Sequence, residues 1–272
     1  NHGNGWMRTP EFTPVSSRME VRTFTVLDDV NQLNRTAYYD PDPDDSQHQY
    51  DVQFSLNRTP YEFDDTPISF NDRTVNAVAN GQQRAPSIGA AANGNHVVVW
   101  EDDSNENDIY EIKVRGFSAD GCQTFTQRTV NAESDGQQIR PAVAVADDGR
   151  FVVVWQDDRD GNGLHQIYAA GYDRRGRRAF SELVVNQVAD GQQLRPAVAI
   201  DPEGNFAVAW EDDQDENGVY QIRAAGFSAD GTRRFDDRTV NQTASGQQRR
   251  PAIAMDGDGR FFVTFEDDNN EN

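Results

Sequence analysis

The chain repeats itself every 55 residues. Gly81, Gly136, Gly191 and Gly246 each open a Gly-Gln-Gln triplet, and each lies 55 positions after the last. Trp100, Trp155, Trp210 and Phe265 keep the same interval, as do Phe70, Phe125, Phe180 and Phe235. Asn76, Asn131, Asn186 and Asn241 end the segments Arg-Thr-Val-Asn or Leu-Val-Val-Asn in the same register. A period held without one insertion implies a single structural unit, copied and stacked so that each copy buries its apolar faces on its neighbours.

Each unit reads as four strands. In the copy around residue 150 the first is the small, apolar "PAVAV" from Pro141, followed by a tight turn at Asp148-Gly149. The second strand is "RFVVVWQ", in which Val152 and Val154 are as apolar as Phe151, Val153 and Trp155. Loss of alternation means that both faces of the strand are covered. "QIYAAGYD" supplies a third strand, and after a turn at Gly176 "SELVVN" supplies a fourth. No segment has helical spacing. A four-stranded unit of this length, apolar on both sheet faces, predicts an all-β protein: a β-propeller of four-stranded antiparallel blades, four to five in number. An immunoglobulin-like sandwich needs about 100 residues for its unit, so the period argues against it.

Residues 76–130, 131–185 and 186–240 are full units. Residues 20–75 read as a degenerate unit, 241–272 as an incomplete blade, and 1–19 as an N-terminal arm that fits no unit. Two completions of the last blade stay open: N-terminal strands close it, or the chain continues past Asn272.

Acids outnumber bases 46 to 25, for a net charge of −21. Such a chain is repelled by nucleic-acid phosphates and anionic membranes and favours cations. Lone Cys122 rules out an intrachain disulfide, and no apolar run is long enough to span a bilayer. A secreted chain without disulfides points to a prokaryotic source, or to another stabiliser such as a metal.

The second strand of every unit runs into an acidic knot. The knots align as Asp103-x-Asn105-x-Asn107, Asp158-x-Asp160-x-Asn162, Asp213-x-Asp215-x-Asn217 and Asp268-x-Asn270-x-Asn272. Gly163 and Gly218 follow at the sixth position of two of them. Oxygen side chains at positions 1, 3 and 5 with glycine at 6 open an EF-hand-type loop, so these twelve residues are candidate Ca2+ ligands. The glutamate expected at position 12 is absent; counting from Asp158 reaches Ala169. A solvated acidic turn with no metal is the competing reading.

Arg140, Arg195 and Arg250 each precede a proline of the first strand, the strand that lines a propeller's channel. They are candidate ligand-binding residues for an anion, against the plainer reading of ion pairs with nearby acids. The paired glutamines sit where one blade crosses to the next, a place to bond loop backbone. His2, His48, His96 and His165 are scattered out of register, and no nucleophile elbow, Walker loop or zinc spacing is present. The chain is therefore expected not to be an enzyme.

The pattern "VN…GQQ-x-RP-A-[VI]-A…DG-x-FVVVW-x-DD…G-[FY]-x-ADG", over residues 60–272 and more loosely from 20, resembles repeats of large secreted bacterial proteins of the adhesin-like and RTX-associated type. The resemblance implies a secreted, extracellular or cell-surface setting and a binding or structural role, often with calcium, and carries no catalytic residues. The expected function is thus a non-enzymatic, calcium-stabilised propeller for adhesion, surface assembly or ligand display. Its partners would be an extracellular protein or glycan, or further copies in a larger complex. The alternatives are a structural subunit of a filament and, third, a sialidase-like glycosidase using the channel arginines.

Overall fold

A computed structural model describes residues 7–10, 21–24 and 73–268. The chain divides into two compact units, Asn1–Phe24 with Asp72–Asn272, and Thr25–Asn71. The second lies outside the described residues, and with it most of the expected degenerate repeat.

The first unit is all β among the described residues. A short antiparallel pair comes first, β1 (Met7–Pro10) with β2 (Val21–Phe24). Sheet 1 follows as β3 (Gln83–Ala90), β4 (His96–Asp102), β5 (Glu111–Phe117) and β6 (Gln123–Thr129). Sheet 2 is β7 (Gln138–Val145), β8 (Phe151–Asp157), β9 (Gln166–Tyr172) and β10 (Arg178–Val184). Sheet 3 is β11 (Gln193–Ile200), β12 (Phe206–Asp212), β13 (Gln221–Phe227) and β14 (Arg233–Thr239). Sheet 4 contributes β15 (Gln248–Met255) and β16 (Phe261–Asp267). Strands within a sheet are antiparallel and sequential, the blade order of a β-propeller. β1 lies alongside β16.

Neighbouring sheets meet along their first strands, β3 on β7, β7 on β11 and β11 on β15. The stacking explains the lost alternation: β8 and β12 are buried at every position, because each has a sheet on both faces. Trp155 and Trp210 are fully buried there, each removing a large apolar area from water. On the first strands one face is small and the other large, so adjacent sheets interlock. A Cβ on Gly89 would sit 2.9 Å from Val145 Cγ2 of the next sheet.

Aromatic rings join the sheets at the hairpin end. Phe125 of sheet 1 stacks on Phe151 of sheet 2 (centroids 5.7 Å), which stacks on Tyr172 (4.9 Å). Phe180, Phe206 and Phe227 repeat the triplet between sheets 2 and 3. The strand-four phenylalanine lies across a strand-three glycine; a Cβ on Gly171 would come within 2.0 Å of the Phe180 ring. That contact is the physical content of the Gly-Phe/Tyr part of the repeat.

The other motifs are inter-strand ties. Asn131, Asn186 and Asn241 accept the amides of Ile112, Ile167 and Ile222 at 2.8 Å. The first glutamine of three triplets reaches the preceding sheet: Gln192 Nε2 donates to Gly163 O (2.6 Å) while its Oε1 accepts His165 N–H (3.2 Å). Gln137 and Gln247 make the equivalent bonds to Asp108 O and Gly218 O. The second glutamines, Gln138, Gln193 and Gln248, are fully buried. The Asp148-Gly149 turn is a three-residue loop. Gly149 N–H donates to Ala146 O, and Gly149 takes φ +86°, the left-handed position of a type I turn with a bulge.

Candidate functional site

The knots connect strands two and three of each sheet. In sheet 2, Asp158 Oδ1 accepts Gly163 N–H (3.0 Å), Asp160 Oδ2 accepts Asn162 Nδ2–H (2.7 Å), and Asn162 Oδ1 accepts Leu164 N–H (2.6 Å). Asp213, Asp215 and Asn217 repeat this in sheet 3, with Gly218 and Val219 as donors. In sheet 1, Asp103 Oδ1 accepts Asn107 N–H, Asn107 Oδ1 accepts Ile109 N–H, and Asn105 is exposed. Asp268 is partly buried, while Asn270 and Asn272 lie outside the described residues. The oxygens at positions 1, 3 and 5 of the sheet 2 and sheet 3 knots thus close the loop on itself. Among the described residues no group of three or more His, Cys, Asp and Glu is placed to hold a metal ion. The preceding aspartates face elsewhere: Asp157 accepts the Trp155 indole N–H at 2.9 Å, and Asp102 that of Trp100 at 3.4 Å.

The three pre-proline arginines sit at a bulge. Arg140, Arg195 and Arg250 take φ of +55°, +49° and +53°, and the register of the first strand slips beside each. Each exposes an N–H that the preceding sheet captures. Arg140 N–H goes to Glu101 Oε1 (2.7 Å), Arg195 N–H to Gln156 Oε1 (2.8 Å) and Arg250 N–H to Glu211 Oε1 (2.7 Å). Two of the guanidinium groups are ion-paired on their own sheet, Arg195 with Glu211 (2.9 Å) and Arg250 with Glu266 (3.0 Å). Arg140 is exposed and faces neutral Gln156 at that position instead. The three do not converge as a free cationic ring.

A cavity lies at the opposite, hairpin end, between sheets 2 and 3, with a volume of about 520 Å3. Phe151, Val152, Phe180 and Ile200 give it an apolar floor. Asp148, Arg150, Asp173, Arg174, Arg175 and Arg177 form a charged rim on the sheet 2 side; Gly204 and Ala229 close it from sheet 3. Arg150 spans the gap: its Nη1 donates to Glu203 O (2.8 Å) and its Nε to Asp148 (2.7 Å). Burial pushes the Asp148 carboxyl up, but the Arg150 hydrogen bonds and the Arg150 and Arg174 charges outweigh it and hold it below the ordinary range. The same balance lowers Asp173, which accepts the N–H groups of Arg175 and Arg177 and the Arg177 Nε–H. Burial pushes the Tyr172 hydroxyl up to about 12, so it stays protonated.

None of these groove residues was singled out from the sequence as a site. One signal was present. The turn "DRRGRR" at 173–178 departs from "SADGCQ" at 118–123 and "SADGTR" at 228–233.

Fold and cleft together define an all-β propeller with an interblade groove. No family model and no curated protein sequence matches the chain. Among solved structures it is similar to an α-L-arabinofuranosidase of Fusarium graminearum in complex with an iminosugar inhibitor. The TM-score is 0.50 at 12% identity, over 68% of this chain and 56% of that one. The enzyme of the same fungus solved with arabinobiose gives 0.50 at 10% identity over the same shares. An endo-arabinase of Bacteroides thetaiotaomicron aligns more loosely, with TM-score 0.45 and 13% identity over 75% and 76%. The chain spans little more than half the length of the arabinofuranosidases it matches.

The fold is one on which glycosidases are built. That overturns the expectation of a non-enzymatic adhesion, assembly or display module. The channel arginines assigned to the glycosidase alternative are engaged at two of their three positions. No helix long and apolar enough to cross a membrane is present among the described residues.

Proposed function

We propose that the chain is a carbohydrate-active protein of the glycosidase type, and that saccharide lies in the groove between sheets 2 and 3. The groove carries the reading. It is a cleft of about 520 Å3 with an apolar floor and a few converging polar groups, within the roughly 300–1,000 Å3 of small-molecule sites. It lies on a fold whose solved examples include arabinofuranosidases. Asp148 and Asp173 stay ionised there, which suits them to accept hydrogen bonds from sugar hydroxyls. Among the described carboxyls, Asp212 is held above the ordinary range by burial, against the opposing charge of Arg223. It lines a separate cleft of about 140 Å3, so the groove is assigned binding and positioning.

Incubation with aryl arabinofuranosides, aryl pyranosides and arabinan, read as released sugar, tests the proposal. Ala179 is exposed on β10 and lines the groove, so Ala179→Trp fills the cleft without entering the core. Sugar release that falls roughly tenfold or more in this variant supports the reading. No release, together with no saccharide binding by calorimetry, removes it.

Calcium at the Asp158 and Asp213 loops is a separate proposal that rests on their spacing. An ion there displaces the Asp160–Asn162 and Asp215–Asn217 contacts and binds the folded chain alone, so it raises the melting temperature. Melting in EDTA and in excess calcium checks this; coincident curves remove it.

A further inference from the structure

We infer that the groove between sheets 2 and 3 selects an anionic saccharide, one bearing carboxylate or sulfate groups, through Arg174 and Arg175. The inference deepens the carbohydrate reading and rests on it.

The chain carries −21, so its overall field repels anions. One short segment reverses that locally. Residues 173–178 hold four arginines and one aspartate, where the equivalent turns at 118–123 and 228–233 hold at most one arginine. The repeat's structure does not require all four. Arg178 is structural: it donates to Val130 O of the preceding sheet, as Arg233 does to Val185 O. Arg177 is committed to Asp173 at 2.6 Å, and Arg150 to Asp148 and Glu203 O. Arg174 and Arg175 are exposed on the groove rim, and their guanidinium groups hold no hydrogen bond or ion pair among the described residues.

Two free planar forks over an apolar floor match an acidic sugar. Each guanidinium offers paired N–H donors to a carboxylate or sulfate, while Ile200 and the Phe180 edge receive the C–H face of the ring. Asp148 and Asp173 are paired with Arg150 and Arg177, so the two aspartates against four arginines leave the rim a net positive charge. The attraction is electrostatic and partly exposed, so it weakens as salt rises.

The repeat itself supplies a variant that folds. Arg174→Ala with Arg175→Asp converts the turn to the Ala-Asp-Gly found at 119–121 and 229–231. All three turns share one geometry, with Gly121, Gly176 and Gly231 N–H donating to the residue three before. Calorimetry on the full chain compares an oligogalacturonate, its methyl ester, a sulfated oligosaccharide, an arabino-oligosaccharide and inorganic sulfate. The acidic saccharides are expected to bind roughly tenfold or more tighter than the neutral ones. The grafted turn is expected to lose that preference while keeping the melting temperature. Which acidic probe binds tighter tells carboxylate from sulfate. Equal binding of acidic and neutral saccharides, or a preference that survives the graft, overturns the inference and leaves the carbohydrate reading standing. Sulfate alone binding as tightly as the acidic saccharides overturns the part played by the sugar. Binding of none of the saccharides overturns both.

Discussion

Gly191→Ala is expected to lower folding stability by about 3 kcal/mol or more, an effect that follows from one backbone approach. A Cβ on Gly191 would lie 1.8 Å from Asp213 O and 2.7 Å from Asp213 C, and its φ is +68°. The obstacle is backbone, so no side-chain rotation relieves it. The left-handed φ adds about 1 kcal/mol for any L residue. The carbonyl it would strike belongs to the first residue of the sheet 3 knot, and Asp213 N–H is itself bonded to Gln192 O. Relief by backbone movement therefore breaks the tie between the triplet and the knot. Gly218 is the control. Its φ is +78°, yet nothing lies within 4 Å of its Cβ position, so Gly218→Ala bears the conformational cost alone, about 1 kcal/mol. Urea titration of both variants reads the difference, and equal losses would refute the close-approach account. Gly81 and Gly136 make the same approach to Asp103 O and Asp158 O, which is why the triplet opens with glycine in each of these units.

The fold was legible because each sheet repeats one solution. Period, lost alternation in the second strand and turn glycines all report local geometry that the copies share, and the structure buries every second-strand position in sheets 2 and 3. The role of the glutamines was legible for the same reason, since Gln137, Gln192 and Gln247 bond loop backbone in one register. The groove was not legible. It forms where Asp148, Phe180 and Ile200 from three separate segments meet across two sheets, and neither alternation nor spacing encodes that meeting. The repeated acids and arginines attracted attention because they recur, yet recurrence marks what every blade needs to stack. Gln156 in place of glutamate, and "DRRGRR" in place of "SADG", break the pattern. The first departure keeps its structural bond, since Gln156 still accepts the Arg195 N–H; the second adds Arg174 and Arg175, which the stacking does not use.

Gln156 supports the second large effect, at its equivalent Glu211. This glutamate is fully buried between sheets 3 and 4. Its Oε1 accepts Arg250 N–H at 2.7 Å, and both its oxygens take Arg195 Nη1–H at 2.9 and 3.0 Å. Glu211→Ala leaves the bulge N–H of Arg250 without an acceptor and strips Arg195 of its partner, with an expected loss of about 3–5 kcal/mol. Glu211→Gln behaves differently. At the equivalent place in sheet 2, Gln156 accepts the Arg195 bulge N–H at 2.8 Å as a neutral amide. The substitution keeps the acceptor and gives up two ion pairs, with Arg195 at 2.9 Å and Arg249 at 3.7 Å, whose side chains are 37% and 35% exposed, a loss of about 1 kcal/mol each or less. The inverse change, Gln156→Glu, gives exposed Arg140 a carboxylate partner on its own sheet, the arrangement that Arg195 has with Glu211, and is expected to be close to neutral because burying the charge offsets the pairing. Chemical denaturation of the three variants sets the order: alanine far below glutamine at 211, with 156 unchanged. If alanine and glutamine at position 211 cost the same, the buried N–H is not what holds the carboxylate there. The inter-sheet tie would then have to be sought in the Gln247–Gly218 bond and the aromatic contacts.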